Sequence, residues 1–251
     1  MTERSFQDYI DTVTEALPKV RERIDAAYRS QTRNQGGVTL LAATKTVPVE
    51  VINYAIDRLG LRCIGENRVQ ELLSKYDALH KEGVEIHFIG RLQTNKVKYI
   101  IDKVSLIHSV DSLRLAAEID RQAKKHGKVM AILVEINVGG EDTKGGITPD
   151  ALPDFLTKLS AFSSLSVKGL MVIPPQNATK EENLNYFNET YQFFVDFFKK
   201  KVHNTIDTYF LSMGMSDSYE EAVLSGSNLV RVGSAIFGKR LYPITPNESE
   251  G

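Results

Sequence analysis

The sequence predicts an α/β fold, a single (β/α)8 barrel of the TIM type with an extra helix at its N-terminus. Short apolar runs of strand length alternate with longer segments of helical period along most of the chain. Eight such runs occur, and 251 residues is a size that one closed barrel takes. An open doubly wound sheet is the alternative. No linker or low-complexity stretch divides the chain. One domain is therefore expected over residues 1–251: an N-terminal helix and connection (1–37), a barrel (38–240) and a tail (241–251).

Each element has a local reason. Phe6, Tyr9, Ile10, Val13, Leu17, Val20 and Ile24 recur at steps of three and four, which makes one apolar stripe on a long opening helix. The polar stretch Gln31 to Gly37 ends it. Val38 to Thr44 is a near-continuous apolar run, as a strand buried on both faces requires. Pro48 suits a first helical turn, and Ile52, Ala55, Ile56 and Leu59 give that helix an inner face. Further strands are expected at Arg62–Gly65, Ile86–Gly90, Leu106–Val110, Met130–Val138, Val167–Ile173, Thr208–Ser212 and Leu229–Val232. Helices are expected near Val69–Leu79, Lys96–Ile101, Leu113–Lys125, Ala151–Phe162, Glu181–Lys199 and Ser218–Leu224. Thr148 and Pro149 read as an N-cap and first-turn pair. Little chain follows the eighth strand, so the opening helix is expected to cover the gap left there.

Composition narrows the function. Thirty-one Lys and Arg against 32 Asp and Glu leave a net charge of −1, without the basic footprint of a nucleic-acid binder. The one cysteine, Cys63, leaves no internal disulfide framework, fits a reducing compartment, and reads as a buried structural thiol. No signal peptide or membrane-spanning run is visible, so a cytoplasmic protein is expected. Phosphate-loop, dinucleotide and His-Glu-x-x-His motifs are absent, and the five histidines and one cysteine show no zinc-ligand spacing.

In barrels of this type, chemistry gathers at the C-terminal ends of the strands. Ser212-Met213-Gly214 and Gly233-Ser234 combine hydroxyls with glycines after strands seven and eight. Such pairs suit phosphate binding through backbone N–H groups and equally suit ordinary turns. Lys45 ends an apolar strand, where partial desolvation would free its amine to attack an aldehyde; it could also simply cap the strand. Arg231, two residues before Gly233, has a rim salt bridge as its plain reading. His87 and His108 sit within apolar strands and read as satisfied core residues.

Seven ordered segments carry a resemblance. They are Ala42-Ala43-Thr44-Lys45, Gly65-Glu66-Asn67, His87-Phe88-Ile89-Gly90, Leu92-Gln93-Thr94-Asn95-Lys96, Gly169-Leu170-Met171, Ser212-Met213-Gly214-Met215-Ser216 and Arg231-Val232-Gly233-Ser234-Ala235-Ile236-Phe237-Gly238. Together, from about Val38 to Arg240, they resemble the pyridoxal phosphate homeostasis protein family, which is similar to the N-terminal barrel of alanine racemase. The resemblance implies pyridoxal 5′-phosphate as cofactor, a Schiff base at Lys45, and phosphate contacts near Ser212, Gly214, Gly233 and Ser234. It also implies Asn67 close to the cofactor and Arg231 facing the ring nitrogen. Arginine does not donate its proton, so that nitrogen would stay unprotonated and the ring would be a weaker electron sink. Met171 would lie near the ring, where the racemase has a histidine. The Leu92–Lys96 motif, with Arg91 and Lys98, reads mainly as a loop and helix start with solvated charges.

The leading expectation is a carrier or buffer of the cofactor, monomeric, serving apo enzymes that need it. A racemase or lyase is the alternative. It needs a second acid or base opposite the lysine, which Tyr242 or a histidine would have to supply. A Schiff-base aldolase using Lys45 without a cofactor is a third reading, and it predicts a colourless protein.

Overall fold

The structure, a computed structural model, describes residues 5–33, 36–140, 145–175, 177–199 and 209–239. Within them eight parallel strands close into a barrel, because the last pairs back onto the first. The strands are β1 Thr39–Ala43, β2 Cys63–Glu66, β3 Glu85–Phe88, β4 Leu106–Val110, β5 Met130–Ile136, β6 Leu165–Val172, β7 Phe210–Ser212 and β8 Leu229–Val232. Helix α1 (Phe6–Arg29) precedes the barrel. The crossovers carry α2 Val49–Leu59, α3 Val69–Tyr76, α4 Val97–Ile100, α5 Leu113–Lys125, α6 Leu152–Leu159, α7 Lys180–Phe194 and α8 Tyr219–Leu224, and α9 (Ser234–Phe237) follows β8. The open-sheet alternative is thereby set aside.

Alternation along the strands sorts side chains into two layers. Ala42, Ile64, Phe88, Ile107, Ile132, Leu170, Leu211 and Val230 face outward and pack with the helices in one large core. Leu41, Ala43, Cys63 and Leu229 face inward, as do Leu106, Leu133 and Met171, in two small lumen clusters. A barrel lumen is a packed core rather than a pore.

Helix α1 lies against α2, α8 and α9, over the seam between β8 and β1. It starts at a reciprocal cap. Asp8 N–H donates to Ser5 Oγ at 3.1 Å, and Ser5 N–H donates to Asp8 Oδ2 at 3.0 Å. Its buried stripe is Ile10, Val13, Leu17, Val20, Ile24 and Ala27. Phe6 belongs to the expected stripe but is exposed, because the first turn overhangs the barrel.

Three local expectations shift. Pro48 occupies the N-cap of α2 rather than its first turn. Thr148 and Pro149 hold the expected N-cap and first position, but of a 3₁₀ turn that leads into α6 at Leu152, and Thr148 makes no side-chain cap bond. The firm cap in this half of the chain is Thr179, which forms a capping box with Glu182 at the start of α7. Short α9 was not anticipated. Residues 141–144, Thr208, His203, Arg240, Tyr242 and the 241–251 tail lie outside the described residues. No helix among the described residues is long and apolar enough to cross a membrane.

Candidate functional site

A cavity of about 550 Å³ opens at the C-terminal mouth of the barrel. Lys45, Asn67, Arg231, Gly233 and Ser234 line it, joined by Ala43, Ile89, Ile173, Met215, Ser216, Asp217 and Lys239. Five of the eight residues expected at the site therefore meet around one space.

Lys45 is held by the turn that leaves β1. Thr46, the next residue, has φ 64°, a left-handed conformation that costs a branched side chain about 1–2 kcal/mol. A network that runs from exposed Thr46 through half-buried Glu71 and Lys75 to buried Glu66 and Thr44 holds that turn. Thr46 N–H donates to the Glu71 carboxylate. Lys75 Nζ donates to Glu71 at 2.7 Å, to Glu66 at 2.9 Å and to the Thr44 carbonyl at 2.9 Å. Thr44 Oγ1 donates to Glu66 Oε1 at 2.8 Å. Burial pulls the Glu71 carboxyl upward, but Lys75 and the Thr46 N–H together hold it below its ordinary value. Burial pushes the Glu66 carboxyl above its ordinary value, against the pull of Lys75 and Thr44. The lysine-bearing turn is thus clamped from outside the lumen, and the half-buried Lys45 lines the cavity.

Asn67 follows β2. Its Oδ1 is buried with no hydrogen-bond partner, a state that costs about 1–3 kcal/mol unless a ligand fills it. Gly90 fixes the neighbouring loop. A Cβ there would stand 2.0 Å from the Asn67 carbonyl oxygen, so only glycine permits this approach.

Arg231 lies on the cavity floor and is almost wholly buried. Its Nη1 donates to Ser212 Oγ at 2.6 Å and its Nη2 to the Val172 carbonyl at 2.9 Å. Burial lowers the guanidinium pKa to about 10, with Glu135 opposing the shift. It therefore keeps its charge at neutral pH. Glu135 is pushed up by burial and by Asp111, while Arg231 and Arg91 oppose the rise.

Gly233 and Ala235 N–H groups both donate to Ser216 Oγ, at 3.1 and 3.2 Å. With its lone pairs taken by these two amides, the Ser216 hydroxyl is left to donate, and with Ser234 it makes a donor pair for an oxyanion at the cavity. Ser216 was visible only as part of a motif. Its signal is its place two residues beyond Gly214 on the loop leaving β7.

The other three expected residues sit elsewhere. Met171 is fully buried in the lumen with Leu106 and Leu133. Ser212 is fully buried between Arg231 and His108, whose Nδ1 lies 3.1 Å away. Strand register puts Glu135, Met171 and Ser212 side by side at one level. Gly214 (φ 94°) packs so close to α8 that a Cβ would come within 2.5 Å of the Ala222 Cβ. Its carbonyl accepts from Arg231 N–H at 3.0 Å. Its glycine character answers to helix packing. The Leu92–Lys96 motif becomes a 3₁₀ turn over Thr94–Lys96 leading into α4, with Lys96 and Lys98 near the exposed Tyr99 ring.

Known proteins share this architecture and sequence. The family described as alanine racemase, N-terminal domain, matches residues 20–241. The pyridoxal phosphate homeostasis protein of Aquifex aeolicus is 44% identical over 228 residues, 91% of this chain and 98% of that protein. The protein of the same name from Escherichia coli K12 is 37% identical, over 93% of this chain and 99% of its own. The structure of PipY from Synechococcus elongatus PCC7942 with pyridoxal phosphate bound superposes with a TM-score of 0.74 at 33% identity, covering 87% of this chain and all of that one. With the match running through the mouth of the barrel and nearly the full length of these relatives, the chain belongs to the alanine racemase N-terminal domain family and, within it, to the pyridoxal phosphate homeostasis proteins.

Proposed function

We propose that this protein binds pyridoxal 5′-phosphate at the C-terminal mouth of the barrel and acts as a carrier or buffer of that cofactor. The carrying observation is that one cavity joins a lysine, a buried arginine and a serine hydroxyl, Ser216, on which two amides converge. The residues suit the cofactor's chemistry. Lys45 offers an amine for the aldehyde. Ser216 and Ser234 offer hydroxyl donors for the phosphate, with Ser216 held by the Gly233 and Ala235 amides. Arg231 would meet the ring nitrogen as a fixed cation, and the orphaned Asn67 Oδ1 could accept from a ring substituent. When bound, the cofactor supplies an aldehyde and a conjugated ring that can delocalise negative charge.

The chain's own groups then favour holding over turnover. Arg231 is pinned by Ser212 and Val172, so it orients the ring without giving up a proton. Ser212 acts as a positioning residue beneath it. Met171 and Gly214 shape the floor and the loop. The cavity meets solvent at the barrel rim, which suits exchange with acceptors better than carbanion chemistry. The reading extends to a cytoplasmic monomer that meets apo enzymes requiring pyridoxal phosphate.

A transfer assay tests it. Loaded protein is mixed with an apo enzyme, and recovery of activity is compared with release into a trap. Recovery faster than free release supports a carrier; recovery at the release rate leaves only a buffer. Sustained exchange of the α-hydrogen of L-amino acids in heavy water, at enzyme-like rates, would instead establish the racemase reading.

A further inference from the structure

A polar string runs down the barrel axis from the cofactor cavity to the opposite face, and the proposed function uses only its upper end. Arg231 Nη1 donates to Ser212 Oγ. Ser212 Oγ lies 3.1 Å from His108 Nδ1, and His108 Nε2 lies 3.0 Å from His87 Nδ1. His87 Nε2 then lies 3.2 Å from Glu85 Oε2. Branched apolar side chains usually fill such a lumen, so the base of this string calls for a reason.

At that base three metal-ligating groups converge. Cys63 and Glu85 are register partners at the first residues of β2 and β3, and His87 lies two residues further along β3. Their ligand atoms all fall within 4.8 Å of one another. Cys63 Sγ is 3.8 and 3.9 Å from the two His87 ring nitrogens. In a tetrahedral zinc site, bond lengths of about 2.3 Å to sulfur and about 2.0–2.1 Å to nitrogen or oxygen put ligand atoms roughly 3.3–3.6 Å apart. The Cys63–His87 and His87–Glu85 spacings lie within a few tenths of an ångström of that. Cys63 and Glu85 also line a cavity of about 450 Å³ on the N-terminal face, together with Asp25, Arg21 and Arg62. That cavity gives a cation a route in and leaves room for a water ligand. The two arginines aim their donors at backbone carbonyls of residues 56 and 59–61.

We propose that Cys63, His87 and Glu85 form a site for a zinc-class divalent cation, with three protein ligands and a fourth position open to the basal cavity. On binding, the Cys63 thiol proton leaves to solvent and a metal–sulfur bond forms. His87 Nε2 gives up its proton and its hydrogen bond to Glu85 for the metal, and His87 takes a proton at Nδ1, so the ring changes tautomer with no net loss. His108 correspondingly carries its proton on Nδ1, toward Ser212, and accepts from His87 Nδ1–H at Nε2, the kind of outer-shell partner that orients a ligating imidazole. The net release is the one Cys63 proton. Thiolate, imidazole and carboxylate together favour zinc over magnesium or calcium. The residues come from two neighbouring strands, so no sequence spacing announces them. The site does not depend on cofactor binding, although the string ties it to Arg231.

Cobalt and zinc test it on the full-length protein after treatment with a chelator and desalting. One equivalent of cobalt should give the visible d–d bands of a tetrahedral site and a thiolate charge-transfer band, both displaced by zinc. Cys63→Ser should remove the charge-transfer band and weaken zinc by more than the roughly tenfold that loss of an outer-shell partner costs. Glu85→Gln, on a largely exposed side chain, leaves the fold intact. As loss of a ligand, it should weaken zinc by more than the roughly tenfold an outer-shell partner costs while keeping the charge-transfer band. Absence of stoichiometric binding, binding without charge transfer, or affinity unchanged by Cys63→Ser would overturn the proposal. Unchanged affinity would place the cation at a surface pair such as His80 and Asp57. Labelling of Lys45 by the cofactor reads out separately and is expected in Cys63→Ser as in the parent.

Discussion

Ser212→Ala separates a residue that supports the cofactor from one that touches it. The hydroxyl receives a 2.6 Å hydrogen bond from the Arg231 guanidinium, and bonds to a buried charge contribute about 1.5–3 kcal/mol. It also faces His108 Nδ1 at 3.1 Å, a neutral contact of about 1 kcal/mol. Alanine removes one partner from each of two buried groups, leaving Arg231 with Val172 and His108 with His87. The expected loss in unfolding free energy is therefore roughly 3 kcal/mol, measured by urea denaturation of the cofactor-free protein. Affinity for pyridoxal phosphate and for pyridoxal, which lacks the phosphate, should fall together. Ser216→Ala and Ser234→Ala should instead weaken pyridoxal phosphate by about fivefold each, the equivalent of one neutral hydrogen bond, and leave pyridoxal unaffected. Stability intact in Ser212→Ala, with selective loss of the phosphorylated ligand, would refute this placement and return Ser212 to the phosphate site.

Two further outcomes follow from the lysine-bearing turn and its neighbour. Glu71 is held below its ordinary carboxyl value, so its contribution is present above the unfolded carboxyl pKa of about 4.3 and is lost as the pH falls through the folded value. Glu71→Gln should cost about 1–2 kcal/mol at neutral pH, and the stability curves of variant and parent should converge in acid. A constant offset at all pH values would count against the ionic clamp. Gly90→Ala puts a Cβ where the Asn67 carbonyl stands, so it should destabilise by about 1–3 kcal/mol and weaken cofactor binding. Unchanged binding would detach Asn67 from the site.

The barrel was legible because its signals are local and periodic. Leu106–Val110, Leu113–Lys125 and Leu229–Val232 fall on the expected residues, where apolar runs and helical stripes have sharp edges. Thr148 and Pro149 take the N-cap and first position as expected, but of a 3₁₀ turn, and the Thr148 hydroxyl makes no cap bond. Position and turn chemistry left Lys45 and Gly233-Ser234 open to ordinary readings; the family resemblance singled them out, and they line one cavity. Ser212 and Met171 show what a sequence withholds. A strand end projects side chains alternately into and out of the lumen, and one residue of register decides whether a hydroxyl meets a ligand or an arginine. The Cys63, Glu85 and His87 cluster is hidden for a related reason. Cross-strand pairing, rather than sequence spacing, brings those ligand atoms together.

The most direct test of the account is where the cofactor attaches. Protein loaded with pyridoxal phosphate is reduced with borohydride, digested and mapped by mass spectrometry, beside a Lys45→Ala variant treated in the same way. The account expects a visible absorption band that disappears on reduction, a pyridoxyl label on the peptide containing Lys45, and neither in the variant. A label on another lysine, or a variant that keeps the band, would contradict it.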